Sequence, residues 1–263
     1  MIKKIRLFLF NYRFIFFKRI IGNNLFETLP NILQTNNKVA VLWTGGKDCN
    51  LAFYESQLLG FEVVCLIGFF NKQKTITIES LELMERQAEA LNIPFINIEV
   101  SKFSQSDYVN VILNIKSKYQ ISTVVTGIIS NLNGNIYWLK KICKASDINL
   151  FCPLWNKNRK ELLNKFIAYN FSIIFIAVKE QWFTDIWLGR SLSLETIAEL
   201  EKTKKYNCLD LCGEKNEYDT IVLDGPIYKN KLDVVKFTQK KYQDLMYLEI
   251  DKCVLIKNNE HIY

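Results

Sequence analysis

Residues 39–43, Val-Ala-Val-Leu-Trp, form a short apolar run rich in β-branched positions, long enough for a buried strand and too short for a helix. Thr44-Gly45-Gly46 interrupts it. Residues 50–59 then set Leu51, Phe53, Tyr54, Leu58 and Leu59 at helical spacings, so the stretch predicts strand, glycine turn, helix. The rhythm recurs. Residues 61–67 read as a second buried strand, and Leu81, Met84, Ala88 and Leu91 mark a helix over about 79–92 that stops before Pro94. Strand 95–100, helix 108–119 and strand 122–127 follow. Strands alternating with helices predict an α/β fold with a doubly wound parallel sheet, whose ligands sit beyond the carboxyl ends of the strands. Segments 44–49 and 127–130 both fall there.

The pattern changes near residue 150. A helix over 159–169, an apolar strand over 171–178, a helix over 194–204 with Ser193 as N-cap, a polar loop entering a strand at 220–223, and closing strands at 231–237 and 246–256 read as a smaller α+β unit. The expected organisation is an N-terminal extension over 1–37, a ligand-binding domain over 38–152 and a second domain over 153–263.

The turn carries the first candidate chemistry. A strand-to-helix turn points backbone N–H groups and a positive helix end at one spot, which suits phosphate. Gly45 and Gly46 let a ligand approach the main chain, Lys47 adds a point charge and the Thr44 hydroxyl a donor. Asp48 would repel phosphate unless a metal ion stands beside it, which points to a nucleotide held with Mg²⁺. The Walker spacing and Gly-x-Gly-x-x-Gly are both absent.

Charge narrows the classes of function. The 263 residues carry a net charge of +7, but Lys3, Lys4, Arg6, Arg13, Lys18, Arg19 and Lys38 against Glu27 alone place +6 of it in residues 1–38. The remainder is nearly neutral, which argues against a nucleic-acid grip built into the body. Residues 2–21 mix phenylalanines with basic residues and hold no apolar run of membrane-spanning length, nor the pattern of a signal peptide. An amphipathic helix on an anionic surface is the functional reading of that segment, and a helix packed on the body the structural one. Seven cysteines without Cys-x-x-Cys pairs and a single histidine, His261, suit a reducing, cytoplasmic setting and make a structural zinc site improbable.

The sextet Thr44-Gly-Gly-Lys-Asp-Cys49 resembles the PP-loop, usually Ser-Gly-Gly-x-Asp-Ser, of ATP pyrophosphatases, with Cys49 replacing the second hydroxyl. With Pro153-Leu-Trp155, Trp187-Leu-Gly-Arg190, Gly213-Glu-x-x-Glu-Tyr-Asp-Thr220 and Leu223-Asp-x-Pro226, the chain resembles the diphthine–ammonia ligase family over about residues 38–240. The resemblance implies an adenine nucleotide alpha hydrolase-like (HUP, PP-loop) domain and a family-specific second domain. It also implies ATP-dependent adenylation of a carboxylate, release of pyrophosphate, and attack by ammonia to form an amide. The archetypal acceptor is diphthine on elongation factor 2, so the implied partners are ATP with Mg²⁺, ammonia, and a carboxylate acceptor carried on a small molecule or a protein. A homo-oligomer is compatible with it.

Residue by residue, the resemblance implies a nucleotide site of Thr44, Gly45, Gly46, Lys47, Asp48, Cys49, Gly127 and Ser130, with Asp48 toward Mg²⁺. Lys47, Asp48, Glu214 and Glu217 are the catalytic candidates, the two glutamates steering ammonium. Arg190, Gly213, Tyr218, Thr220 and Asp224 are candidates for the acceptor side. As a charge at a loop tip, Lys47 is expected to tolerate alanine without loss of the fold; Glu217→Gln is expected to remove amide formation alone. The chain departs from the family pattern at Ser130-Asn-Leu-Asn-Gly-Asn135, which lacks the family's arginine, at Thr77, where a histidine is common, and at Lys215-Asn216 in place of Gly-Gly. Two other readings stay open: a nucleotide-binding protein of the same fold without turnover or with an altered substrate, and a PP-loop tRNA-modifying enzyme. The missing Cys-x-x-Cys pairs and the neutral body weigh against the second.

Overall fold

The structure, a computed structural model, describes residues 37–70, 81–100, 104–132 and 134–257. The expected N-terminal extension and Thr77 lie outside the described residues. Lys38–Tyr263 form one compact unit.

Strands β1 (Lys38–Leu42), β2 (Glu62–Phe70), β3 (Phe95–Glu99), β4 (Thr123–Val125) and β5 (Asn149–Phe151) make a sheet of order β3-β2-β1-β4-β5, parallel throughout. Helices α1 (Lys47–Leu58), α2 (Leu81–Leu91), α3 (Gln105–Tyr119) and α4 (Asn135–Ala145) connect the strands. Val39, Ala40 and Val41 are wholly buried because helices cover both faces of the sheet, which is why β1 is apolar without alternation. Ala40, Cys65, Ile67 and Val124 pack with Ile112 and Ile115 of α3 and with Leu139 and Ile142 of α4. Each such aliphatic side chain stabilises the fold by about 1.5–3 kcal/mol. The strand order reverses between β1 and β4, so the loops after these two strands flank the point where doubly wound sheets open a crevice.

Helices α5 (Arg159–Ala168) and α6 (Leu194–Asn207) accompany a second, antiparallel sheet of order β7-β6-β9-β8, made of β6 (Ser172–Lys179), β7 (Tyr218–Asp224), β8 (Asn230–Tyr242) and β9 (Leu245–Lys257). Ser193 caps α6 as expected, its hydroxyl accepting the Thr196 N–H. The β8–β9 hairpin is longer than expected and packs against α2, where the Lys229 N–H reaches the Ala90 carbonyl at 2.8 Å.

Two elements add to those the pattern predicts. Helix α4 places Ile136, Leu139, Ile142 and Cys143 inward at helical spacing, but it starts directly from Gly134 in a left-handed conformation, with no side-chain cap to announce it. Strand β5, three residues long, completes the parallel sheet beyond β4. In addition, α1 begins at Lys47, three residues before the expected start at residue 50.

Candidate active site at the switch point

The early start of α1 has a long-range cause. Its N-cap, Gly46, has no side chain to offer, and Thr220 of β7, 173 positions away, supplies the missing oxygen by accepting the Lys47 N–H at 3.3 Å. The loop before it is pinned the same way. The Gly45 carbonyl accepts from the Asn50 amide (3.2 Å), the Gln87 amide (2.9 Å) and the Val222 N–H (3.3 Å). Gly45 has φ +85°, and a Cβ there would stand 2.5 Å from Gln87 Oε1, so glycine is required on both counts.

Gln87 and Asn50 are the residues that sequence reasoning missed as site-builders. Gln87, fully buried, also accepts from Trp43 Nε1 at 3.1 Å and donates to the Val222 carbonyl at 2.8 Å. Asn50 accepts from the Tyr228 hydroxyl at 2.8 Å. The available signal was polarity: Gln87 sits on the face of α2 that buries Leu83, Met84, Ala88 and Leu91, and a glutamine among those residues must have polar partners.

Lys47 is not at a loop tip. Its side chain is 4% exposed, and its ammonium donates to Asp48 Oδ2 at 2.8 Å and to the Cys212 carbonyl at 2.5 Å, over the Tyr218 ring. Burial alone would lower the ammonium pKa; the Asp48 carboxylate, with Tyr218 and Cys212 beside it, holds it well above the usual range. Lys47 therefore ties the helix start to the 210–217 loop, and the expectation that alanine is tolerated there is corrected.

That loop is built around Glu217, which is wholly buried. Its Oε1 accepts the Asp210 N–H and its Oε2 the Lys215 N–H, both at 2.8 Å, while the Tyr218 hydroxyl donates to the Leu211 carbonyl at 2.6 Å and Gly213 turns with φ +74°. Both Glu217 oxygens accept from main-chain donors, so the side chain shapes the loop. Arg190 pairs with Glu199 through both terminal nitrogens and lies over the Trp187 ring, and it is not among the residues that line the cavity beside Asp48. Asp224 accepts the Gly225 N–H and forms the turn before Pro226.

Glu214 behaves differently. It lines a cavity of about 420 Å³ together with Thr44, Asp48, Cys49, Thr126 and Gly127, and with apolar residues that include Leu42, Ile67, Phe69 and Ile128. Its Oε2 accepts from the Ser130 N–H at 3.2 Å and the Ser130 hydroxyl at 3.1 Å, so the loop after β4 carries it. Burial, and then the Asp48 charge, push the Glu214 carboxyl above its ordinary range. The structure thus brings together Thr44, Asp48, Cys49, Gly127 and Glu214 around one space, with Ser130 behind Glu214 as its hydrogen-bond partner. It leaves Arg190 and Asp224 out, and gives Lys47, Thr220, Tyr218 and Glu217 to the supporting framework. The Cys49 thiol donates to the Gly46 carbonyl at 3.1 Å.

Asp48 Oδ1 is buried without a hydrogen-bond partner, alone in this among side-chain atoms of the described residues. No group of three or more metal-binding side chains occurs among these residues. An orphaned carboxylate oxygen and no all-protein cage fit Mg²⁺, which keeps water and phosphate ligands and takes one or two carboxylates.

Gly127 marks how closely the two loops pass. A Cβ there would stand 2.6 Å from the Asp48 carbonyl carbon and 2.7 Å from the Cys49 nitrogen. Gly127→Ala is expected to destabilise the protein by about 1–3 kcal/mol through this backbone collision and to weaken any ligand of the cavity by tenfold or more. Thermal unfolding and calorimetric titration with ATP check both; a variant indistinguishable from the parent would show that the loops yield freely.

The sequence model of the Diphthamide synthase N-terminal domain matches residues 37–150, and that of the Diphthamide synthase C-terminal domain matches residues 158–256. The chain is 25% identical over 250 residues to a Mus musculus protein named diphthine–ammonia ligase, covering 83% of this chain and 92% of that one. A Rattus norvegicus protein of the same name is 26% identical over 222 residues, covering 75% of this chain and 82% of its own length. A Schizosaccharomyces pombe protein of that name is 25% identical over 241 residues; the alignment covers 82% of this chain but 39% of the yeast protein. A solved structure described as a predicted subunit of tRNA methyltransferase from Methanocaldococcus jannaschii overlaps more distantly, with TM-score 0.36 and 16% identity over 72% of this chain and 97% of that one. With both domain models matched in order across most of its length, the chain belongs to the diphthine–ammonia ligase family.

Proposed function

We propose that the protein is an ATP-dependent, amide-forming ligase that activates a carboxylate as an acyl-adenylate and transfers it to ammonia. The observation that carries this reading is a cavity at the strand-order switch, lined by the PP-loop residues Thr44, Asp48 and Cys49 and by Glu214 of the C-terminal loop. Its lining offers polar groups for the phosphates and apolar ones for the base of a nucleotide.

In this reading Thr44 and the start of α1 face the phosphates, and the Gln87, Asn50 and Thr220 contacts hold the loop in shape before substrate arrives. Asp48 Oδ1 would hold Mg²⁺, which neutralises phosphate charge when bound. The acceptor carboxylate attacks the α-phosphorus and pyrophosphate leaves. Ammonia then attacks the activated carbonyl and AMP departs, the ammonium having released its protons before or during attack. The apolar walls keep water from competing. Residues 38–152 would supply the nucleotide side and 153–263 the acceptor side.

Incubation with ATP, Mg²⁺, ammonium and either diphthine-bearing elongation factor 2 or small carboxylic acids should release pyrophosphate and AMP only when the acceptor is present. The Cys49 thiol, turned to the Gly46 carbonyl, favours one rival, nucleotide binding without turnover. Tight ATP binding with no pyrophosphate over any acceptor would decide for that rival, and ADP formation would exclude adenylation.

A further inference from the structure

We propose that Glu214 is the second carboxylate of the divalent-cation site, so that the metal is gripped by one carboxylate from each side of the cavity, Asp48 from the PP-loop and Glu214 from the loop before β7. The proposal rests on the reading of the cavity as an ATP site.

The argument is one of unfilled valence. Asp48 uses Oδ2 on the Lys47 ammonium and leaves Oδ1 buried and unpartnered. Glu214 uses Oε2 on the Ser130 N–H and hydroxyl, and Oε1 makes no hydrogen bond with any described residue. Both side chains line the same cavity, close enough for the Asp48 charge to be felt at Glu214. The cationic groups nearby are already paired, Lys47 with Asp48 and Arg159 with Asp210 at 3.3 Å. Together these groups hold one more negative charge than positive in a partly buried space. Two hard oxygen donors and an unbalanced negative charge select a hard divalent cation such as Mg²⁺ or Mn²⁺ over a soft one.

The placement has a chemical consequence. A carboxylate at the mouth of a phosphate site repels ATP when no metal is present and attracts it, through the metal, when one is. A glutamate that only braced Ser130 would act alike in both conditions. The two roles therefore differ in sign.

Mn²⁺ is the probe, followed by the electron paramagnetic resonance signal of the free ion, with no nucleotide present. Glu214→Gln keeps the side-chain shape and an acceptor for Ser130, and it should weaken Mn²⁺ binding by tenfold or more. In calorimetry, the same variant should bind ATP in EDTA as well as the parent or more tightly, and Mg²⁺-ATP at least tenfold more weakly. Glu214→Ala is the second variant and must show the same split. Mn²⁺ affinity within twofold of the parent in either variant would overturn the proposal, as would ATP weakened equally with and without metal. If the parent protein bound Mn²⁺ through Glu214 yet bound no ATP in any condition, the ligase reading would fall and the metal site would stand.

Discussion

Replacing Lys47 by alanine is expected to destabilise the protein by about 3–5 kcal/mol, the range for removing one partner of a buried ion pair. The alanine variant strands Asp48, whose other oxygen already lacks a partner, and frees the Cys212 carbonyl in the 210–217 loop. Urea unfolding followed by tryptophan fluorescence measures the loss. The double variant Lys47→Met, Asp48→Asn removes both charges at similar volume and should recover more than half of it. A single variant within about 1 kcal/mol of the parent would mean that the ammonium is solvated and that the tether to Cys212 does not form. ATP affinity alone would mislead, since a displaced loop and a lost phosphate contact lower it alike.

The second large effect belongs to Gln87. Gln87→Ala leaves the Trp43 indole N–H and the Val222 carbonyl without partners in a fully buried position, each at about 1–3 kcal/mol, and opens a small cavity besides. A loss of about 3–5 kcal/mol is expected, with ATP affinity falling by tenfold or more because the Gly45 carbonyl loses one of its three donors. Gln87→Met fills the space without restoring the hydrogen bonds, and it should recover the packing part of the stability and little of the affinity. If methionine restored both, Gln87 would be a space-filler, and the loop would be held by Asn50 and Val222 alone.

The central strands β1, β2 and β4 were legible because they are largely buried and therefore written as apolar runs, and because glycines punctuate the turn after β1. Thr44, Asp48 and Glu214 were legible through motif resemblance and Gly127 through its place beyond a strand end, and the structure sets these four around one space, with Ser130 bonded to Glu214. The roles of Lys47 and Glu217 were not. Both are charged residues in polar segments, where solvent exposure is the ordinary outcome; their burial depends on main-chain groups that reveal nothing in one-letter code, the Cys212 carbonyl for one and the Asp210 and Lys215 amides for the other. Helix α4 escaped for a simpler reason: its segment follows the polar run 130–135, and its start has no capping side chain.

The Thr220 hydroxyl on the first amide of α1 sets a clock on the protein's synthesis. The glycine turn emerges with residues 44–50, and Asn50 and Gln87 are made soon after, but three further groups that hold it, Thr220, Val222 and Tyr228, are made last but for the closing hairpin. At bacterial or eukaryotic elongation rates of about 5–20 residues per second, the gap lasts roughly 9–35 s. During that interval the parallel sheet can form and bury its core, while the loop lacks its cap and cannot hold nucleotide in the finished geometry. If the cavity is the ATP site proposed above, a nascent chain stalled before residue 220 would lack the cap of that site, nucleotide binding would report that the second sheet has docked, and a ligand present during synthesis would stabilise only chains that are nearly complete.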